Sequence, residues 1–311
     1  MRTLQIMLLL GTSSVGVAQA QSITYSTFLV PEAAPNTLNV QGISRSGEVD
    51  GYLTDTSGNL EGWIRDKNGD ITLLVDPLDT GTPSATVAYG LSPSGIAIGY
   101  FFDTSANLYY GYFYSGGNYQ TYSVPDQPSG TDTTVGGISS PGMFCGSLLQ
   151  PPYTTYLNYV SIKGQVTVFQ VEGSNDEDCL GINSAGTSVG SYVDDAGVDH
   201  GWIRDVSGKV TTVNVPAAST TAGTAPCISG IVGGTTINGI NDQGFISGHY
   251  WDRKYNEHGF IRTPSGKFIT LNVPGAYQTG GGSINANGEM VGHWATDTSC
   301  DDQGFIATIN Q

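Results

Sequence analysis

The chain has 311 residues, 44 of them Gly and only 12% charged, and 27 acidic residues against 11 basic ones leave a net charge of −16. That length buries a substantial core as one large domain or two ordinary ones, and abundant Gly, Thr, Ser, Tyr and Val without runs of helix formers exclude a mainly helical protein. So acidic a surface repels phosphate backbones and anionic lipids, which argues against nucleic-acid and membrane-surface partners.

Residues 1–20 place Arg2 ahead of an apolar run centred on Ile6 to Leu10 and end in Ala18-Gln19-Ala20, the layout of a secretory signal peptide. The run is too short to span a bilayer, and no later segment is apolar enough to cross one. The expectation is a secreted protein, extracellular or periplasmic, with residues 21–311 as a single domain.

A repeat then runs to the end of the chain. Gly-Ile-Asn, or a close variant, begins at 42, 90, 137, 181, 239 and 283, and a further Gly stands at 51, 99, 146, 190, 248 and 292. After each comes a short aromatic stretch carrying one ring at a fixed place: Trp63, Tyr112, Tyr159, Trp202, Phe260 and Phe305. One bulky ring per unit is what stacked sheets need to fill the space between them. Turn signals cut the fifth unit into four strands: one running into Gly239-Ile240-Asn241, then Gly244 to Tyr250, His258 to Arg262 and Lys267 to Val273. Four antiparallel strands in roughly 40–50 residues match one blade of a β-propeller.

The sixth unit stops after its third strand. The segment after residue 20, reading SITYSTFLVPEA, matches the fourth strand of the fifth unit, KFITLNVPGA. The predicted fold is therefore all-β: a six-bladed β-propeller of four-stranded antiparallel blades, closed by the N-terminal strand completing the last blade, which also removes exposed strand edges. The fourth interval is the longest, and its Thr-, Ser- and Gly-rich insertion at about 216–238 is expected to project over one face of the ring.

The repeat resembles the extracellular HAF-repeat proteins, named for a His-Ala-Phe triplet within a Gly-Ile-Asn and Val-Gly framework. His200-Gly201-Trp202 and His258-Gly259-Phe260 match best, within a likeness running from Val40 to Ile309. Gly replaces Ala in five of the six units, and Glu61, Tyr110, Leu157 and Gln303 stand where the triplet has His. The resemblance implies a secreted, β-rich protein without an assigned reaction.

Candidate sites follow from repeat positions. Asp55, Asp103, Asp194, Asp252 and Asp297 recur at the turn between second and third strands, expected on the same face as the insertion. There they either accept hydrogen bonds from sugar hydroxyls, or gather Ca²⁺, or cap their own turns. Asp66 to Asp70 has the oxygen spacing of a calcium loop but lacks its distal Glu. Trp251 and Trp294 supply flat rings beside these carboxylates, with Trp251 expected to be exposed; packing between blades is the competing role. His249 and His293 hold equivalent places in neighbouring units and are weak candidates for a shared metal or for backbone hydrogen bonding. Four Cys permit three pairings, of which Cys145–Cys179 and Cys227–Cys300 are favoured. No nucleophile–base motif or nucleotide loop stands clear of the repeat, and no cofactor is evident apart from a possible Ca²⁺.

The leading expectation is a monomeric, non-enzymatic binder of an extracellular ligand such as a glycan or surface polymer. The alternatives are a secreted polysaccharide hydrolase or lyase using His249 or His293, and a structural surface or assembly protein.

Overall fold

The computed structural model describes residues 22–310 apart from 36, 140–141, 227 and 299–301; the segment expected to be a signal peptide and the expected Cys227–Cys300 pairing lie outside the described residues. Every regular element among the described residues is a β-strand. In the first repeat, strands Asn39–Ile43, Val49–Thr54, Leu60–Arg65 and Ile71–Leu74 form one antiparallel sheet, numbered sheet 1. The pattern recurs to give six such units. In sheet 3 the first strand is split into Asp132–Thr133 and Gly137–Ile138, and units 4 and 5 are joined by a single parallel bridge between Asp199 and Gly234.

The sixth unit takes its outer strand from the other end of the chain. Strand Ser22–Phe28 pairs antiparallel with Gln303–Asn310, from Ser22 opposite Asn310 to Phe28 opposite Gly304. This is the pairing that the match between the N-terminal segment and the fifth unit's fourth strand predicts.

The repeated residues now have physical reasons. All six third-strand rings, Trp63, Tyr112, Tyr159, Trp202, Phe260 and Phe305, are fully buried. The second-strand glycines make room for the bulge in the first strand: a Cβ at Gly51, Gly99, Gly146, Gly190, Gly248 or Gly292 would collide with the carbonyl of Asn39, Val87, Thr134, Asp178, Thr236 or Gly280. The glycine of Gly-Ile-Asn lets neighbouring sheets meet: Gly42 lies against Gly90, Gly137 against Gly181, Gly181 against Gly239 and Gly239 against Ser283. Gly282 of the sixth unit in turn abuts Val40 and Gln41 of the first.

The Asn of the triplet works in two directions. Asn285 Oδ1 accepts the Asn287 and Glu289 amides of its own turn, while its Nδ2 donates to Ser44 O at 3.0 Å in sheet 1. Asn241 donates likewise to Asn285 O at 2.9 Å, and Asn183 to Asn241 O at 3.4 Å. Ser44, Ser92 and Ser139 fill this place in the first three units; Ser44 Oγ and Ser92 Oγ keep the cap by accepting the Glu48 and Ile96 amides. Replacing Asn285 by Ser should therefore preserve the amide cap of the turn and remove the two Nδ2 bonds, to Ser44 O across the junction of last and first sheets and to Glu289 Oε2 within the turn. The expected loss is about 1–2 kcal/mol, read as a lower urea midpoint with unchanged m-value; an unchanged midpoint would show that this junction does not need these bonds.

Cys145 and Cys179, on the second strand of sheet 3 and the first strand of unit 4, form a disulfide. Among the described residues no helix is long and apolar enough to cross a membrane.

Candidate functional site

The predicted turn aspartates are spread over five of the six units, one to a unit, and four of the carboxylates are engaged by their own turns. Asp55 Oδ1 accepts the Ser57 and Asn59 amides, and Asp103 Oδ1 accepts the Ser105 and Ala106 amides. Asp194 takes the Ala196 and Val198 amides, and Asp252 those of Lys254 and Asn256. Asp66 is spent similarly on Asn68 and Asp70. Exposed Asp297 lies on the corresponding turn of the sixth unit.

The triplet histidines extend two of these turns. His200 Nε2 lies 2.9 Å from Asp194 Oδ2 and its Nδ1 3.2 Å from Asn214 Oδ1; His258 links Asp252 at 3.4 Å to Asn272 at 2.8 Å. Each imidazole stacks on a second-strand tyrosine, Tyr192 or Tyr250, at 5.1 Å. Burial opposes ionisation of Asp252, but the Asn256 and Lys254 amides and His258 together hold its carboxyl down at about 2.

Trp251 corrects an expectation. It is 4% exposed, because the insertion packs against it: Ser219 N donates to Trp251 O at 2.7 Å, and Ala218 bridges Asp252. The insertion's hairpin, Gly223–Ala225 with Ile228–Val232, is clasped by Tyr255, whose hydroxyl lies 3.2 Å from Ala222 O and whose ring fills the space above Gly223. Trp294 is half-buried, packed beside Val273, Phe305 and Ala307.

The two remaining histidines do converge. His249 and His293 both approach Glu257, His249 Nε2 at 4.0 Å from Oε1 and His293 Nε2 at 3.6 Å from Oε2. Gly280 leaves space for them, since a Cβ there would overlap both His293 and Glu257. Burial lowers His249, leaving it neutral; burial also opposes a charge on His293, but Glu257 overrides it and raises His293 to about 9. Among the described residues no group of three or more His, Cys, Asp or Glu is placed to hold a metal ion.

Concave space lies where the first strands face one another. The residues preceding the Gly-Ile-Asn glycine are Gln41, Tyr89, Gly136, Leu180, Asn238 and Gly282, so a single ring stands at this level and two units carry no side chain there. Asn238 Nδ2 reaches Gln41 Oε1 at 3.4 Å. Beside this level lies a cavity of about 320 Å³, walled by Gln41, Tyr52, Asp176, Asp178, Asp199 and His249 among others. A second cavity of about 250 Å³ opens toward sheets 2 and 3, walled by Tyr89, Tyr100, Tyr109, Tyr156, Asp132, Thr134 and Ser147. Both share Tyr89, Asp176 and Asp178.

The tyrosines form a chain of ring contacts: Tyr52 to Tyr89 at 5.9 Å, Tyr89 to Tyr100 at 5.6 Å and Tyr100 to Tyr109 at 5.5 Å. Ser147 Oγ donates to Asp178 Oδ1 at 2.9 Å, and the Tyr109 amide donates to Asp132 Oδ1 at 2.9 Å. Asp178 is open to the cavity yet ringed by protein, and this enclosure, with Asp176 nearby, pushes its carboxyl up to about 6 against the Ser147 bond. Asp199 rises to about 6 mainly through burial, and burial with the Asp178 charge pushes Tyr52 up to about 12. Sequence reasoning passed over Tyr52, Tyr89, Tyr109, Asp132, Asp176 and Asp178. Their one signal is acidic residues in the first strands of two successive units, Asp132 and the run Asp176-Glu177-Asp178, where the other four units carry uncharged residues.

No family model and no curated protein matches the chain. Among solved structures it is similar to the fungal lectin of Aleuria aurantia, described as a six-bladed β-propeller with a novel fucose recognition mode. That pair is 12% identical, with a TM-score of 0.53 over 89% of this chain and 97% of the lectin. A mutant of the same lectin, in complex with Fucα1-6GlcNAc, aligns over 89% of this chain and 97% of its own at 12% identity and a TM-score of 0.51. AofleA from Arthrobotrys oligospora is 10% identical, with a TM-score of 0.51 over 88% and 83% of the two chains. At these identities the likeness is one of fold, and it places an all-β chain of repeated four-stranded units beside six-bladed β-propellers.

Proposed function

We propose that the protein is a secreted, non-enzymatic, carbohydrate-binding β-propeller of the HAF-repeat kind, its six blades closed into a ring by the N-terminal strand. Closure is supported by the pairing of Ser22–Phe28 with Gln303–Asn310 and by the contact of Gly282 with Val40 and Gln41. Secretion is supported by the Cys145–Cys179 disulfide, a bond favoured in oxidising compartments. The observation that carries the binding reading is the cavity itself: Tyr89, Tyr100, Tyr109 and Tyr156 stand beside Asp132, Asp178, Thr134 and Ser147. Flat rings stack on the C–H faces of a sugar, while carboxylates and hydroxyls take its hydroxyl groups. The structural neighbours include lectins whose descriptions name fucose.

A glycan array of the protein beside its Tyr109→Ala and Tyr100→Ala variants tests this. Tyr109 is exposed enough for its loss to spare the fold. Binding to a saccharide class should fall about tenfold or more in both variants; an array without any bound glycan, or binding indifferent to both changes, would overturn the reading.

A second reading, cleavage of the bound saccharide, has one observation in its favour: neutral His249 stands on the wall of the larger cavity with Glu257 behind it. Release of reducing ends from a bound polymer, abolished in His249→Gln with binding retained, would establish that reading instead.

A further inference from the structure

The charge of the cavity narrows its ligand. Asp132, Asp176, Asp178, Asp199 and Glu177 contribute to the walls of the two adjoining cavities, and among the described residues no Lys or Arg does. Asp132 Oδ1 is taken by the Tyr109 amide and Asp178 Oδ1 by the Ser147 hydroxyl, which leaves the second oxygen of each for a ligand. Behind Ser147, wholly buried Asn158 leaves its Nδ2 without an acceptor. A sulfated, phosphorylated or uronic-acid sugar would bring a further negative charge into this enclosure and be repelled. A neutral sugar would leave the mutual repulsion of Asp176 and Asp178 in place. An ammonium group relieves it, and the tyrosine faces attract the same cation through their ring quadrupoles.

We propose, resting on the carbohydrate-binding reading, that the saccharide is a deacetylated amino sugar, its ammonium group held by Asp132, Asp176 and Asp178 and its ring lying against Tyr89, Tyr100 and Tyr109. This arrangement favours protonated ligand and ionised carboxylates together, so the bound amine draws the raised Asp178 carboxyl back toward its charged form.

Calorimetric titration of the whole protein at neutral pH with a glucosamine tetramer and with its fully N-acetylated counterpart is the test, with spermine as a cation lacking the sugar ring. The free amine should bind about tenfold or more tightly than the acetylated tetramer and than spermine, weaken with added salt, and lose its advantage in an Asp132→Asn/Asp178→Asn double variant whose fold is checked by circular dichroism. Equal or tighter binding of the acetylated tetramer overturns the inference while leaving the carbohydrate-binding reading intact. A preference for the amine that survives the double variant also overturns it, as does spermine binding equal to that of the tetramer, since general attraction to an acidic chain would then suffice. Loss of both tetramers together with an empty glycan array brings down the inference and the reading beneath it.

Discussion

Replacing Trp202 by Ala should cost about 3–5 kcal/mol of unfolding free energy, enough to lower the melting temperature by roughly 10 °C in a chain of this size. Trp202 is fully buried, and its Nε1 donates to Ser191 O at 3.3 Å. Its ring meets Phe169 edge-on at 5.6 Å, and Arg204 covers the Phe169 ring at 4.8 Å. The glycine opposite, Gly190, exists to admit both the Asp178 carbonyl and the indole, so the site cannot shrink around a smaller side chain. The cavity left behind adds its own cost to the lost burial. Val206, 69% exposed on a nearby turn, is the control, and Val206→Ala should stay within about 0.5 kcal/mol. A loss under about 1 kcal/mol for Trp202→Ala would show that the repeated ring is not the filling of the sheet interface.

The Glu257 carboxylate offers the second large effect, and its size changes with pH. His293 is raised in the folded state from its ordinary value near 6.5 to about 9. The folded protein therefore binds that proton more tightly than the unfolded chain does. The resulting stability is fully present below about pH 6.5 and is lost as the pH rises through about 9. Glu257 works at the other end: burial opposes its charge, but His293 and then His249 hold it below the usual carboxylate value, so its contribution disappears in acid. Glu257→Gln removes the partner of a buried cation, a change that costs on the order of 3 kcal/mol near pH 6. In the variant the decline between about pH 6.5 and 9 should be absent, and the two proteins should approach one another in stability on the alkaline side. Urea midpoints across this range give the answer; parallel curves for the two proteins would mean that His293 does not hold its proton through Glu257.

These effects fall on residues of very different visibility in the sequence. The Trp202 ring was legible because a fixed place in six units carries an aromatic, and a sheet stack has one use for it. The glycines were legible as markers, although their reasons, a bulged first strand and close approach of neighbouring inner strands, exist only in three dimensions. The N-terminal strand was readable because its Val-Pro ending repeats that of the fifth unit.

The cavity was not readable. Asp132, Asp176 and Asp178 are confined to two of the six units, and Tyr89 becomes a cavity wall beside the carboxylates of both. The turn aspartates drew attention by recurring, and recurrence here marks backbone capping. His249 and His293 were rightly paired by position, yet their meeting at Glu257 depends on the bare backbone of Gly280. Trp251 looked exposed beside a turn because the insertion that buries it, joined through Ser219, is far away in register though close in space.

The most direct test of a carbohydrate-binding function is a crystal structure of the protein with the strongest saccharide from the array. The sugar should lie against Tyr89 and Tyr100 with a hydroxyl or ammonium group at Asp178. Density at the capped turns of Asp55, Asp103, Asp194 or Asp252, with the tyrosine cavity holding only water, would contradict the account.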